Sequence, residues 1–160
     1  MPDEESTTMH ERFMRTALAE AQQAADRGDT AVASLMTHGG EIVAISGGRV
    51  ESSGDPRAHA EMNVIGEASR QLGRARLREC TLYTTMEPCP MCGWAIHLAG
   101  IGTVVLGARH RALGRTDLGG YSLEDLLTWT GQRMTIVTGI LEAECTAFRR
   151  AWQERSGRFQ

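Results

Sequence analysis

The sequence predicts a layered α/β fold around a five-stranded sheet. Short apolar runs of strand length alternate with longer segments whose apolar residues recur every three or four positions. Glycines mark most junctions, where helices and turns close. At 160 residues the chain fits one domain of ordinary size. That domain is expected over residues 9–160, behind an acidic tail at residues 1–8 read as disordered.

The elements follow in order. Phe13, Met14, Ala17, Leu18, Ala21 and Ala24 share one face of a helix over residues 9–27, which Gly28 closes. Residues 31–37 and 41–46 flank His38-Gly39-Gly40 and read as a β-hairpin, with His38 a plain turn residue. Residues 47–54 are a loop by composition. Pro56 precedes a helix over residues 58–71. Arg70, Arg74, Arg76 and Arg78 then form a basic run, read as a solvated helix end and loop rather than a nucleic-acid surface. Residues 80–85 are a buried strand. Residues 90–99 are a helix with Pro90 in its first turn, where a missing N–H costs nothing. Residues 103–106 make the fourth strand, and residues 107–120 a glycine- and arginine-rich loop holding His110 and Asp117. A helix over 123–129, a strand over 134–138 and a helix over 142–154 complete the chain.

Composition narrows the function. At 41% hydrophobic the chain can bury one sizeable core, and it has no apolar run near the roughly 18 residues of a membrane span. Its N-terminus lacks the basic and apolar regions of a secretion signal. A cytoplasmic protein is expected, with no membrane partner. Four cysteines are too few for a disulfide framework. A net charge of −3 argues against a polynucleotide substrate, because neutralising phosphates usually takes a basic excess.

Two short stretches carry the chemistry: His59-Ala60-Glu61 and Pro88-Cys89-Pro90-Met91-Cys92. One histidine and a C-x-x-C pair supply three zinc ligands and leave the fourth position for water, the pattern of a catalytic site. Glu61 is placed to move protons. His59 and Glu61 share a face only in the first turn of a helix, whose N-terminus carries partial positive charge. Both cysteines fall at another helix start, which favours the thiolate a metal needs. The same C-x-x-C after a strand would also suit thiol redox chemistry, but that reading leaves His59 and Glu61 without work. Cys80 and Cys145 read as ordinary buried cysteines.

H-x-E followed by P-C-x-x-C is an established signature of zinc-dependent deaminases of nucleobases. At these residues the chain resembles the cytidine-deaminase-like superfamily. It is most similar to the branch holding bacterial tRNA adenosine deaminases, bacterial guanine deaminases and fungal cytosine deaminase. The likeness continues through Asp55-Pro56-Arg57-Ala58 ahead of His59, Thr81-Leu82-Tyr83-Thr84-Thr85-Met86-Glu87, Ile101-Gly102-Thr103-Val104-Val105-Leu106-Gly107-Ala108-Arg109, and Gly139-Ile140-Leu141-Glu142-Ala143-Glu144-Cys145. The resemblance implies a three-layer α/β/α fold with a mixed sheet, a homodimer and one zinc per chain. It implies His59, Cys89 and Cys92 as ligands and Glu61 as general acid and base. Ala60, Glu87, Pro88 and His110 would lie near the substrate, with Phe148 or Trp152 of the last helix closing over it.

The chain also departs from these relatives. Gly48 stands where they commonly carry a base-binding asparagine, Ala31-Val32-Ala33 replaces a P-V/I-G segment, and His110 replaces an aspartate. With the acidic total, these changes set the expectation of a free amino-heterocycle as substrate: cytosine, guanine, azacytosine or another aminotriazine. A tRNA adenosine deaminase is the main alternative. A nucleoside deaminase and a zinc-binding pseudo-enzyme acting as a binding module are the others.

Overall fold

A computed structural model of the chain describes residues 3–115 and 117–159. Helix α1 spans Glu4–Asp26, and strands β1 (Ala33–His38) and β2 (Glu41–Gly47) form the expected hairpin. A single helical turn, α2 (Val50–Ser53), lies inside the stretch read as a loop, followed by α3 (Ala60–Leu72) and β3 (Cys80–Met86). Then come α4 (Pro90–Ala99), β4 (Thr103–Ala108), a 3₁₀ turn (Arg111–Leu113), α5 (Leu123–Thr130), β5 (Thr135–Val137) and α6 (Glu142–Ser156).

The tail expected to be disordered is instead helical from Glu4. Residues 1 and 2 lie outside the described residues. Asp3 caps the helix by accepting from the Ser6 amide at 2.8 Å. Glu4 and Glu5 then sit in the first turn, where negative charge is favoured by the aligned peptide dipoles. The acidity that read as disorder is the start signal of the helix. Further along, His10 ties this helix to the sheet through a 2.8 Å contact between its Nδ1 and the Tyr83 hydroxyl.

The strands lie in the order β2-β1-β3-β4-β5. β1 runs antiparallel to both neighbours, and β3, β4 and β5 run parallel. Because side chains alternate across a strand, neighbouring residues feed opposite cores. Met36, Leu82 and Val104 pack with Val64, Ile96 and Leu123 from the α3–α5 layer. Leu35, Tyr83 and Val105 pack with Phe13, Met14 and Ala17 of α1, and with Cys145 of α6, on the other face. This is the three-layer arrangement.

Gly107 sets the approach of α6. A Cβ there would lie 2.6 Å from Cys145 Sγ and 2.7 Å from the Thr85 carbonyl oxygen, so only hydrogen fits. No helix of the described residues is long and apolar enough to cross a membrane.

Candidate metal centre and catalytic cavity

The parallel strands β3 and β4 end side by side, and the segments that leave them build the site, as expected at the carboxyl edge of such a sheet. β3 runs into Glu87, Pro88 and Cys89. Cys89 is the N-cap of α4, and His59 is the N-cap of α3. N-cap side chains ordinarily bond back to the helix. Neither of these does, and both turn toward one point with Cys92 from the first turn of α4.

His59 Nδ1 lies 3.6 Å from Cys89 Sγ and 3.5 Å from Cys92 Sγ. All three donor atoms fall within 4.8 Å of one another, the sole such cluster of three among the described residues. Zinc bonds of about 2.3 Å to sulfur and about 2.0 Å to nitrogen, at a tetrahedral angle, put nitrogen and sulfur roughly 3.6 Å apart. The donors therefore already stand on the edges of a zinc tetrahedron. The thiol chemistry agrees. A proton shared from Cys92 leads the effects that pull Cys89 down to about 4, with His59 adding to it. Cys92, holding that proton in a buried place, is pushed up.

Glu61 is 4% exposed. Burial first, and then the neighbouring Cys89 thiolate, raise its pKa above the ordinary carboxylate range. The Thr84 hydroxyl lies 3.2 Å from Glu61 Oε1 and 2.9 Å from the Met86 carbonyl. Glu61 sits in the first turn of α3 beside the metal donors, the geometry its spacing required.

A cavity of about 720 Å³ opens over this corner, lined among others by His59, Ala60, Glu61, Glu87, Cys89 and His110. Pro88 is buried, and its carbonyl accepts from His110 Nε2 at 3.2 Å. That bond fixes the His110 tautomer and leaves Nδ1 without a partner among the described residues. Burial lowers the His110 pKa, so the ring is neutral.

Glu87 is a clamp. Its carboxylate accepts from Arg109 Nε at 2.8 Å, from the His110 amide at 3.1 Å and from the Leu123 amide at 2.8 Å. Burial pushes its pKa up, but Arg109 and the two amides more than offset this and hold it below the usual range.

Trp152 departs from expectation. It does not line the cavity. It lies beneath the guanidinium groups of Arg149 and Arg158, whose Cζ atoms sit 4.8 and 5.0 Å from its ring centroid. The helix brings arginine to the cavity and keeps the aromatic ring behind it.

Several residues of the site gave no sequence signal. Arg115, Arg149 and Arg158 all line the cavity. Asp29 is fully buried and accepts from the Ser52 amide, the Ser52 hydroxyl and Arg27, pinning the turn of α2 ahead of His59. Asn63 donates to the Gly47 and Ala58 carbonyls and holds the same loop from α3.

Residues 7–108 match the family described as the cytidine and deoxycytidylate deaminase zinc-binding region. The chain belongs to this family. It is accordingly a zinc-dependent hydrolytic deaminase, with His59, Cys89 and Cys92 fitted to the metal.

Similar proteins refine the picture. The tRNA-specific adenosine deaminase of Bacillus subtilis is 37% identical over 140 residues, covering 86% of this chain and 84% of that protein. The chloroplastic tRNA(adenine(34)) deaminase of Arabidopsis thaliana is 40% identical over 155 residues; the match takes in 88% of this chain but only 12% of the plant protein. A structure from work on A-to-I editing by tRNA:A34 deaminases superposes with a TM-score of 0.74 at 32% identity, covering 86% of this chain and 98% of that one. A guanine deaminase from Nitrosomonas europaea shares the fold, with a TM-score of 0.80 at 23% identity, covering 90% of this chain and 84% of that one.

These relatives correct the expected substrate. The acidic total and the altered loop pointed to a free amino-heterocycle, whereas relatives at 36–40% identity are named for tRNA. Net charge misled because it is a sum over the whole chain. The cavity wall sets Arg115, Arg149 and Arg158 beside Glu51, Glu61, Glu87 and Asp117, an arrangement that a total of −3 does not report.

Proposed function

We propose that the protein is a tRNA adenosine deaminase that converts an adenosine of tRNA to inosine. The observation that carries this reading is the likeness to the Bacillus subtilis tRNA-specific adenosine deaminase across most of both chains. The arginine-bearing cavity beside the metal corner supports it.

His59, Cys89 and Cys92 would hold zinc, which when bound would supply a Lewis acid and lower the pKa of the attacking water. Glu61 does the proton work. Its pKa is raised above an ordinary glutamate's by burial, so it holds a proton more readily, as suits a group that must both take and give one. It accepts the proton of the attacking water and delivers it to the adenine ring nitrogen beside the amino-bearing carbon. A C–O bond forms at that carbon. Glu61 then takes the proton of the new hydroxyl and passes it to the amino group; the C–N bond breaks as the C=O bond forms, and ammonia leaves. The N-termini of α3 and α4 both face this point, and their unpaired N–H groups and positive dipole ends favour the developing negative charge. His110 presents a neutral ring edge, and Ala60 and Glu87 line the cavity with it.

We also infer a homodimer in the cytoplasm, where tRNA is found. Met91, Trp94 and Leu98 form an exposed stripe along α4, and such a contiguous apolar patch marks a contact surface. Sedimentation of the zinc-loaded protein tests this directly, and a Trp94→Glu variant is expected to run as a monomer.

The test of function is incubation of the zinc-loaded protein with tRNA carrying adenosine at the wobble position. Inosine is read as guanosine after reverse transcription, with Glu61→Ala as blank. Conversion above the blank is expected. Absence of inosine across a panel of tRNAs would reject the proposal.

A further inference from the structure

One charged group in the cavity rests against the Trp152 ring but has no anionic partner among the described residues. Arg149 is 2% exposed, yet its Nε and Nη1 have no hydrogen-bond partner among the described residues. Its neighbours in the wall are committed elsewhere. Arg115 is bound to Asp117 through two nitrogens, at 2.7 and 2.5 Å. Arg158 donates to Glu51 at 3.2 Å and to the Gly28 carbonyl at 3.0 Å. Burial and these two like charges lower the Arg149 pKa to about 10, so it still carries its charge at neutral pH. A buried, unpaired guanidinium destabilises the protein that holds it unless something arrives to pair with it.

The cavity floor limits what that partner can be. A guanidinium fork is matched by an oxyanion that offers two acceptor oxygens. The anion must belong to a molecule that also reaches the metal corner, because Arg149, Glu61 and Cys89 line the same cavity. We propose that Arg149, flanked by Arg115 and Arg158, is an oxyanion subsite filled in the working complex by a phosphate of the substrate. Attributing that phosphate to the RNA backbone beside the target nucleoside rests on the function proposed above. The subsite itself does not. A free nucleotide would present the same chemistry.

The first measurement is thermal unfolding of the zinc-loaded protein with inorganic phosphate, against chloride at matched ionic strength. A rise of about 5 °C is expected at phosphate near one hundred times its Kd. Arg149→Met should unfold at a higher temperature than the parent without phosphate, because an unpaired charge is gone, and should lose the phosphate response. Arg149→Lys, which keeps the charge but not the fork, should keep part of it. No phosphate-specific rise in the parent, or a full rise in Arg149→Met, overturns the subsite.

Turnover then separates the sources. With an anticodon stem-loop, Arg149→Met should lose about 100-fold in kcat/KM. An unchanged stem-loop rate in Arg149→Met overturns the subsite and leaves the RNA reading standing. An Arg149-dependent preference for adenosine monophosphate, with no stem-loop turnover, keeps the subsite and overturns the RNA reading.

Discussion

Two walls of one cavity are built in opposite ways. The metal wall comes from two helix starts, each a few residues long, in which every functional side chain lies next to another in sequence. His59, Ala60 and Glu61 are consecutive, and Cys89 and Cys92 share one turn. The arginine wall is assembled from Arg115 after the 3₁₀ turn, Arg149 inside α6 and Arg158 beyond it. The first wall is local chemistry that a motif can encode. The second exists only once the sheet has brought distant segments together, so substitutions in the two walls should fail differently.

The largest effect is expected at the metal. Cys92→Ser should drop zinc content and turnover to background, as read by metal analysis and inosine formation, since three protein ligands leave no spare. Next comes Glu61→Ala, which should keep its zinc and lose about 1,000-fold in kcat. Parent-level turnover in that variant would remove Glu61 from the chemistry.

Glu87 ties the exit of β3 to Arg109, His110 and the start of α5. Glu87→Gln should cost about 3 kcal/mol at pH 7 in urea unfolding, because Arg109 and two amides lose their buried charge partner. Its pKa is held down in the folded state. Its contribution is therefore complete above the unfolded value of about 4.3 and disappears as the pH falls through the lower folded value. The parent should lose stability over that acid range, and the Gln variant should show a flatter slope there.

Two smaller changes address the scaffold. Gly107→Ala forces a methyl against Cys145 Sγ and the Thr85 carbonyl, which pushes α6 outward. About 2 kcal/mol of stability should go, as in other overpacked cores. Ser122→Ala removes the capping box of α5, in which Ser122 and Asp125 satisfy each other's amides, and should cost about 1 kcal/mol.

The same contrast explains what could be read in the sequence. The order of helices and strands was legible because apolar periodicity reports each element alone. The bounds of α4 were legible because Pro90 and Gly100 mark both ends. The metal donors were legible through spacing. The start of α1 was missed because acidic residues serve disorder and helix capping equally well. Arg149 was invisible because a charged residue on an amphipathic helix ordinarily faces water, and only tertiary packing turns this one inward. Trp152 was expected to close over the substrate, yet it does not line the cavity, and the guanidinium groups of Arg149 and Arg158 lie over its ring. Substrate class was misjudged for a related reason: total charge says nothing about where the charges meet.

The burial of the cysteines has a consequence for how the protein ages under oxidants. Cys80, Cys92 and Cys145 are 2%, 0% and 1% exposed, and burial raises the thiol pKa of Cys80 and Cys145. Cys89 alone among the four is partly open and held toward the thiolate. Peroxide therefore meets the metal corner first. Inactivation should precede any loss of fold, and bound zinc, by occupying that thiolate, should act as the enzyme's own antioxidant.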